Sequence, residues 1–286
     1  MKKRLLIGCA VLLLAGCSSS SQTQSSHPDP PDKMRKNEQL AEKTAPKKTE
    51  QPTQHDEKKQ PDVKKEPKEI HPQYRMTKNY YLKPIDQADP KVVLLTIDDA
   101  PDEHAVEMAK TLKKLHAKAI FFVNGMYVKD DEGLNKLKKI EALGFPVGNH
   151  TVTHPNLSDL SPEEQRKEIL PVYETLQRTS GKPVKFFRAP HGVNTKVSDQ
   201  LAKERNVLVM NWSYGYDWHK QYENPEALAK IMITTPYLHN GSILLMHDRS
   251  WTAEALPEIV KGLRAKGYTI VDPERIETPL TQKNKE

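Results

Sequence analysis

Residues 92–101 read VVLLTIDDAP, and the architecture follows from this stretch outward. Val92-Val93-Leu94-Leu95-Thr96 carries no polar face, as a buried strand requires, and it runs into two carboxylates, Asp98 and Asp99, and then Pro101. An amphipathic run over 103–115 predicts a helix. Ile120-Phe121-Phe122-Val123 is a second strand, and 134–143 a second helix. Phe145-Pro146-Val147 is a brief strand in which Pro146 implies an edge or irregular pairing. Ser161-Pro162-Glu163-Glu164 opens a helix, with Ser as cap, Pro in the first turn and acids at the positive end of the dipole. Further strands are expected at 184–187, 207–212, 243–246 and 268–271, and helices at 196–205, 225–233 and 253–266.

Strand alternating with helix throughout implies a parallel sheet with helical crossovers. About seven such units can close as a barrel or stay open. The polar residues discriminate: Asp98, His150, Arg188, Asp217 and His247 each follow an expected strand or end it. In a barrel those ends converge on one face, where sites are built. The expected fold is therefore α/β, an irregular (β/α) barrel of about seven units preceded by a disordered tether.

Chemistry concentrates in HTVTHPNLSDL, which begins at His150. Two imidazoles four residues apart, His150 and His154, together with one upstream carboxylate make a mononuclear metal site with positions open for water and substrate. The second carboxylate of the Asp pair is then available as a base. With eleven histidines in the chain the spacing alone is not diagnostic. Its conjunction with the later polar strand ends is.

The amino end reads as an address. MKKRLLIGCAVLLLAGC has a basic start, a short apolar run and small residues before Cys17. Leu14-Ala15-Gly16-Cys17 resembles a bacterial lipobox, so 1–16 is expected to be a lipoprotein signal peptide and Cys17 the lipidated first residue. The chain has two cysteines, and Cys9 leaves with the peptide. Disulfides, thiolate metal sites and cysteine catalysis are then excluded. Residues 17–73 are rich in Lys, Pro, Gln and Ser and nearly free of aromatic or branched apolar residues, so they are expected to form a disordered linker. The formal charge of +6 invites a nucleic-acid reading, which export contradicts; a solvated stalk drawn to anionic lipid or wall phosphate fits better. Residues 74–276 suit one folded domain, and 277–286 a flexible tail.

Five segments of this domain resemble the motifs of the polysaccharide deacetylase family, also described as the NodB-homology domain or carbohydrate esterase family 4. They are Thr96-Ile97-Asp98-Asp99-Ala100, His150-Thr151-Val152-Thr153-His154, Arg188-Ala189-Pro190-His191-Gly192, Asp217-Trp218 and Leu245-Met246-His247, in order across about 150 residues. The resemblance implies that Asp99, His150 and His154 hold a divalent metal, zinc foremost, with cobalt or another transition metal as substitutes. It implies Asp98 as general base, held and kept ionised by Arg188, and His247 as general acid, oriented and kept charged by Asp217. Pro190 and His191 fall on the substrate-binding side, the backbone N–H at His191 facing the oxyanion. Trp218 and Leu245 form an apolar pocket for the acetyl methyl. The implied activity is metal-dependent N-deacetylation of N-acetylhexosamine in a cell-wall polysaccharide, peptidoglycan foremost. Together with the lipobox and the linker, this leads to the expectation of a monomer outside the cytoplasm, lipid-anchored to the cell membrane and without a nucleic-acid partner.

Three departures stand out. Ala100 replaces the family's Gly, a cost of about 1 kcal/mol if that position needs positive φ. Ser213-Tyr214-Gly215-Tyr216 lacks an earlier Asp of the fourth motif, and His191 stands where several relatives carry Tyr. Trp251, Trp212, Tyr214 and Tyr216 are candidates for sugar stacking or for simple packing. Rival readings are a wall-binding protein of this fold with impaired turnover, a metal-dependent amide hydrolase acting on a non-sugar, and a non-haem iron oxygenase. The last has no use for the Asp pair and a distal His acid.

Overall fold

A computed structural model describes residues 71–283. The expected signal peptide, Cys17 and most of the linker lie outside the described residues. The chain enters through a hairpin that the sequence reading did not anticipate, β1 (Tyr74–Met76) paired antiparallel with β2 (Leu82–Pro84). The main sheet then runs through β3 (Val92–Ala100), β4 (Ala119–Val123), β5 (Val147–Asn149), β6 (Phe186–Phe187), β7 (Leu208–Val209), β8 (Tyr214–Gly215), β9 (Ser242–His247) and β10 (Thr269–Ile270). Its order is β7-β6-β5-β4-β3-β9-β8, with β10 paired to the start of β3, and every one of these pairings is parallel. The helices are α1 (Ala105–Lys114), α2 (Asp131–Ala142), α3 (Pro162–Ser180), α4 (Lys196–Glu204), α5 (Pro225–Thr234), α6 (Ser250–Ala265) and α7 (Pro279–Lys283). The result is the expected irregular barrel, a curled parallel sheet with no ladder joining β7 to β8 among the described residues.

Alternation along β3 explains the layers. Val93, Leu95 and Ile97 pack with Met108 and Leu112 of α1, Met232 of α5 and Ile259 and Leu263 of α6. Val92 and Leu94 join Ile120, Phe122, Phe186, Met210 and Ile243 in a second cluster, with Tyr74 and Leu82 of the hairpin packed into it. Successive strand residues face opposite sides, so Leu94, Thr96 and Asp98 share the face turned away from α1 and α6. Gly148 of β5 is needed there, because a Cβ would meet the Phe122 ring at 2.6 Å. α3 begins as expected: Ser161 accepts from the Glu164 N–H, and Glu164 returns a bond to the Ser161 N–H.

One expectation changes and one open alternative closes. The stretch from 277, expected as a flexible tail, carries α7, and Thr278 is buried with the Glu277 N–H bonded to the Tyr74 carbonyl. Docking of the hairpin supplies that partner, and it is far away in sequence. Ser213-Tyr214-Gly215-Tyr216 contributes β8, whose Tyr214 hydroxyl donates to the Met232 carbonyl at 2.8 Å, so Tyr214 packs instead of stacking on a ligand. Tyr216 shares a 2.6 Å hydrogen bond with Thr235, on the helix side of the sheet.

Candidate active site and metal centre

A cleft of about 570 Å³ opens at the C-terminal ends of the strands, lined by Asp98, Asp99, His150, His154, His191, Asp217, Trp218, Leu245 and His247, among others. A larger cleft of about 790 Å³, past Phe145, Val147 and Phe186, contains none of these residues. Chemistry, not size, marks the site.

Backbone torsion brings the two carboxylates together. The strand continues through the Asp pair to Ala100, where simple alternation would point the two side chains to opposite faces. Instead Asp99 takes a left-handed conformation, φ 58°, and the β3–β4 register shifts between Ile97 and Ala100. That irregularity turns a side chain that would face the helices into the cleft. The strained position is thus Asp99 and not Ala100, which is fully buried and has no positive φ. Such a torsion costs a non-glycine residue on the order of 1–3 kcal/mol and persists where the surroundings enforce it.

His150 and His154 lie on the loop after β5. Thr151 and His154 are themselves left-handed, φ 67° and 61°. The Asn124 amide donates to the His150 carbonyl at 2.6 Å, and Glu168 of α3 accepts from the N–H groups of Val152 and Thr153 and from the Thr153 hydroxyl. Neither Asn124 nor Glu168 was singled out from the sequence, since no motif spacing links them to the loop. Replacing Glu168 by Ala is expected to loosen the loop and weaken cation affinity about tenfold, measured by calorimetric titration; an unchanged affinity would show that the other bonds suffice.

Candidate donor atoms of Asp99, His150 and His154 all lie within 4.8 Å of one another. The buried His150 has Nδ1 2.7 Å from the Arg188 carbonyl, so Nδ1–H donates and Nε2 keeps its lone pair for a metal. Burial, and then the neighbouring His154, push the His150 pKa down to about 3, which keeps the ring neutral. Burial also lowers His154, against the opposing pull of Asp99. This donor set fits a divalent cation.

Asp98 sits beside it, buried, with Oδ1 2.6 Å from an Arg188 guanidinium nitrogen and Oδ2 3.5 Å from His150 Nε2. The same nitrogen of Arg188 donates to Thr96 Oγ1 at 2.9 Å, and the guanidinium lies 4.2 Å from the Phe122 ring centroid. Arg188 lowers the Asp98 pKa, but burial outweighs it and the net shift is upward. Arg188 thus favours the ionised form, as expected of it, while burial makes this carboxylate a stronger base than a solvated one.

Beside Asp98, His247 stands in register with it on the adjacent strand. Its Nδ1 is 2.7 Å from Asp217 Oδ1, and its backbone N–H donates to Oδ2 at 2.6 Å. Thr252 donates to the same Oδ2 at 2.8 Å, and Trp251 Nε1 to the Asp217 carbonyl at 2.9 Å. Burial opposes charge on His247, but the bond and charge of Asp217, helped by Asp98 and Asp99, hold its pKa above the usual value.

Trp218 stands edge-on to His247 with centroids 5.4 Å apart, and a Cβ on Gly215 would touch both its ring and Leu245. Pro190 is buried and starts the turn Pro190–Gly192, outside the cleft lining. His191 is exposed and left-handed, with its ring 4.8 Å from that of His154. All three tryptophans of the chain, Trp212, Trp218 and Trp251, line the cleft.

Comparison with known proteins agrees. A family model described as polysaccharide deacetylase matches residues 86–210. A peptidoglycan-N-acetylglucosamine deacetylase of Bacillus cereus is 32% identical over 189 residues, covering 63% of this chain and 66% of that protein. A second from the same organism is 32% identical, with 62% and 67% covered. The next relatives after the first are matched over 51% and 29% of their length, so the chain spans only part of several proteins it resembles. Among solved structures, a peptidoglycan N-acetylglucosamine deacetylase in complex with a hydroxamate-type benzamide aligns at TM-score 0.58 and 30% identity, covering 64% of this chain and 86% of that one. A pseudoenzyme of carbohydrate esterase family 4 from Bacillus anthracis aligns at TM-score 0.58 and 29% identity, covering 66% and 68%.

Proposed function

Because this chain belongs to the polysaccharide deacetylase family, we propose that it hydrolyses the N-acetyl groups of N-acetylglucosamine in peptidoglycan, releasing acetate and leaving a free amine. One observation carries the reading: Asp98 and His247 stand side by side in register on β3 and β9 and line the same cleft as the three-donor set of Asp99, His150 and His154. The pseudoenzyme among its neighbours is a reason not to rest turnover on the fold alone. Here Asp98, His247 and the three residues of the donor set all line one cleft, which supports turnover.

Asp99, His150 and His154 would hold the cation, zinc foremost. When bound, a cation of this kind polarises a carbonyl and brings the pKa of water from roughly 15.7 toward about 7. Asp98 takes the proton of the attacking water, a task suited to a buried carboxylate of raised pKa. Arg188 keeps it aimed, with one oxygen held and the other facing the donor set. The backbone N–H at His191 is assigned to the oxyanion. His247 donates its Nε2 proton to the leaving nitrogen before the C–N bond breaks, and Asp217, which accepts from Nδ1–H, keeps the imidazole charged and oriented until then. Trp218 and Leu245 exclude water around the acetyl methyl.

The location belongs to the same proposal. Cleavage before Cys17 would leave a lipidated cysteine and a linker holding the domain at the outer face of the cell membrane, within reach of the wall, as a monomer with no nucleic-acid partner. The full chain loaded with Zn²⁺ or Co²⁺ is expected to release acetate from N-acetylglucosamine oligomers or purified peptidoglycan, with mass spectrometry of digested muropeptides identifying the sugar. Saturable sugar binding without acetate release would support the impaired wall-binding protein instead, and silence on both would support an amide hydrolase for another substrate.

A further inference from the structure

Each carboxylate of the Asp pair is held by its own arginine. Arg188 bonds Asp98 Oδ1, leaving Oδ2 toward His150. In the same pattern Arg249 Nη2 bonds Asp99 Oδ2 at 3.0 Å, leaving Oδ1 3.7 Å from His154 Nε2. Arg249 is anchored in turn. Its Nη1 donates to the Asp248 carbonyl at 2.9 Å. The Asp248 carboxylate accepts from the N–H groups of Asp102 and His104 at 2.7 Å, tying the loop after β3 to the end of β9. Arg249 also lines the cleft.

We propose that Arg249 is a positioning residue that holds Asp99 as a one-oxygen metal ligand, the counterpart of Arg188 on Asp98. Asp99 needs such a hold. Its backbone is in a left-handed conformation and its side chain is only partly covered, so nothing in its own strand orients the carboxylate. A carboxylate free to turn offers a cation two oxygens or none in the right place, and the Arg249 bond removes one of the two from competition. Arg249 also brings a positive charge close to where the cation sits. That repulsion is weakened by solvent, because the Arg249 side chain is 35% exposed, while the charge-assisted bond that orients Asp99 is direct. Orientation is therefore expected to win.

The inference rests on reading Asp99 as a ligand, and its test separates the two. Titrating the full chain with Zn²⁺ alone gives the reference affinity. Arg249→Gln is expected to bind Zn²⁺ on the order of 10–100-fold more weakly, and Arg249→Lys, which keeps the charge but offers one donor nitrogen in place of the guanidinium fork, to fall between. The visible bands of the Co²⁺-loaded chain are expected to shift but persist in Arg249→Gln as Asp99 alters its denticity, whereas loss of fold would abolish them. KM for the oligomer is expected to stay within twofold at saturating cation. Affinities within twofold for all three proteins, or tighter binding by Arg249→Gln, would overturn the role of Arg249. Absence of saturable Zn²⁺ binding by the unaltered chain would sink the ligand reading itself, and this inference with it.

Discussion

Asp98→Asn is expected to retain cation binding and lose turnover. The asparagine oxygen still accepts from Arg188, but its amide cannot take a proton from water. Loss of a positioned base costs on the order of 10²–10⁴ in kcat. A second effect is measurable independently. Arg188 is completely buried, and Asp98 is the acid paired with it. Leaving a buried cation without its counter-charge costs about 3–5 kcal/mol, which for a domain of this size lowers Tm by roughly 6–20 °C. The variant should therefore be assayed well below its own transition, with calorimetric titration of Zn²⁺ alongside. His154→Ala is the contrast: a donor is removed, and both affinity and turnover should disappear. Equal loss of metal in the two variants would mean that the roles of Asp98 and Asp99 are reversed.

Asp217→Asn is expected to move the alkaline limb of the pH–rate profile to lower pH. His247 must carry its proton to act as acid, so activity falls as pH rises through its pKa. In the native chain Asp217 outweighs burial and places that limb above the ordinary histidine range. Without the carboxylate burial remains, and the imidazole loses its proton earlier. Each unit of displacement removes about tenfold of the protonated fraction at a given higher pH. The stability linkage has the same origin. A histidine of raised folded pKa contributes stability that is fully present below its unfolded pKa and lost as pH rises through the folded value. In Asp217→Asn that contribution disappears, and burial of an unpaired imidazole makes acid conditions destabilising instead. Rates and Tm measured across pH on both proteins test this, and an alkaline limb that does not move would remove His247 from the acid role.

Much of the site was readable locally. His150 and His154 are four residues apart, Asp98 and Asp99 are adjacent, and the barrel follows from alternating runs whose periods are set within a few residues. The β1–β2 hairpin and β8 escaped notice because their strands are two or three residues long, and the hairpin is tied to the rest of the domain only by contacts distant in sequence, such as Tyr81 bridging Ser242. Arg249 escaped for the same reason: it meets Asp99 across 150 positions of sequence. Glu168 reaches the His loop from a helix turn that reads as an ordinary exposed acid.

Legible in the residues alone was the inventory: which candidate donors and proton carriers are present, in what order, and on which strand ends they stand. The tertiary structure decided how they are used. A positive φ at Asp99 turns its side chain into the cleft, burial makes Asp98 more basic despite its arginine, and distant partners select which oxygen of each carboxylate stays free. The reason is physical: residue type and periodicity are local properties of a chain, whereas desolvation and the torsion a strand end is made to accept exist only once the surrounding elements have packed around it.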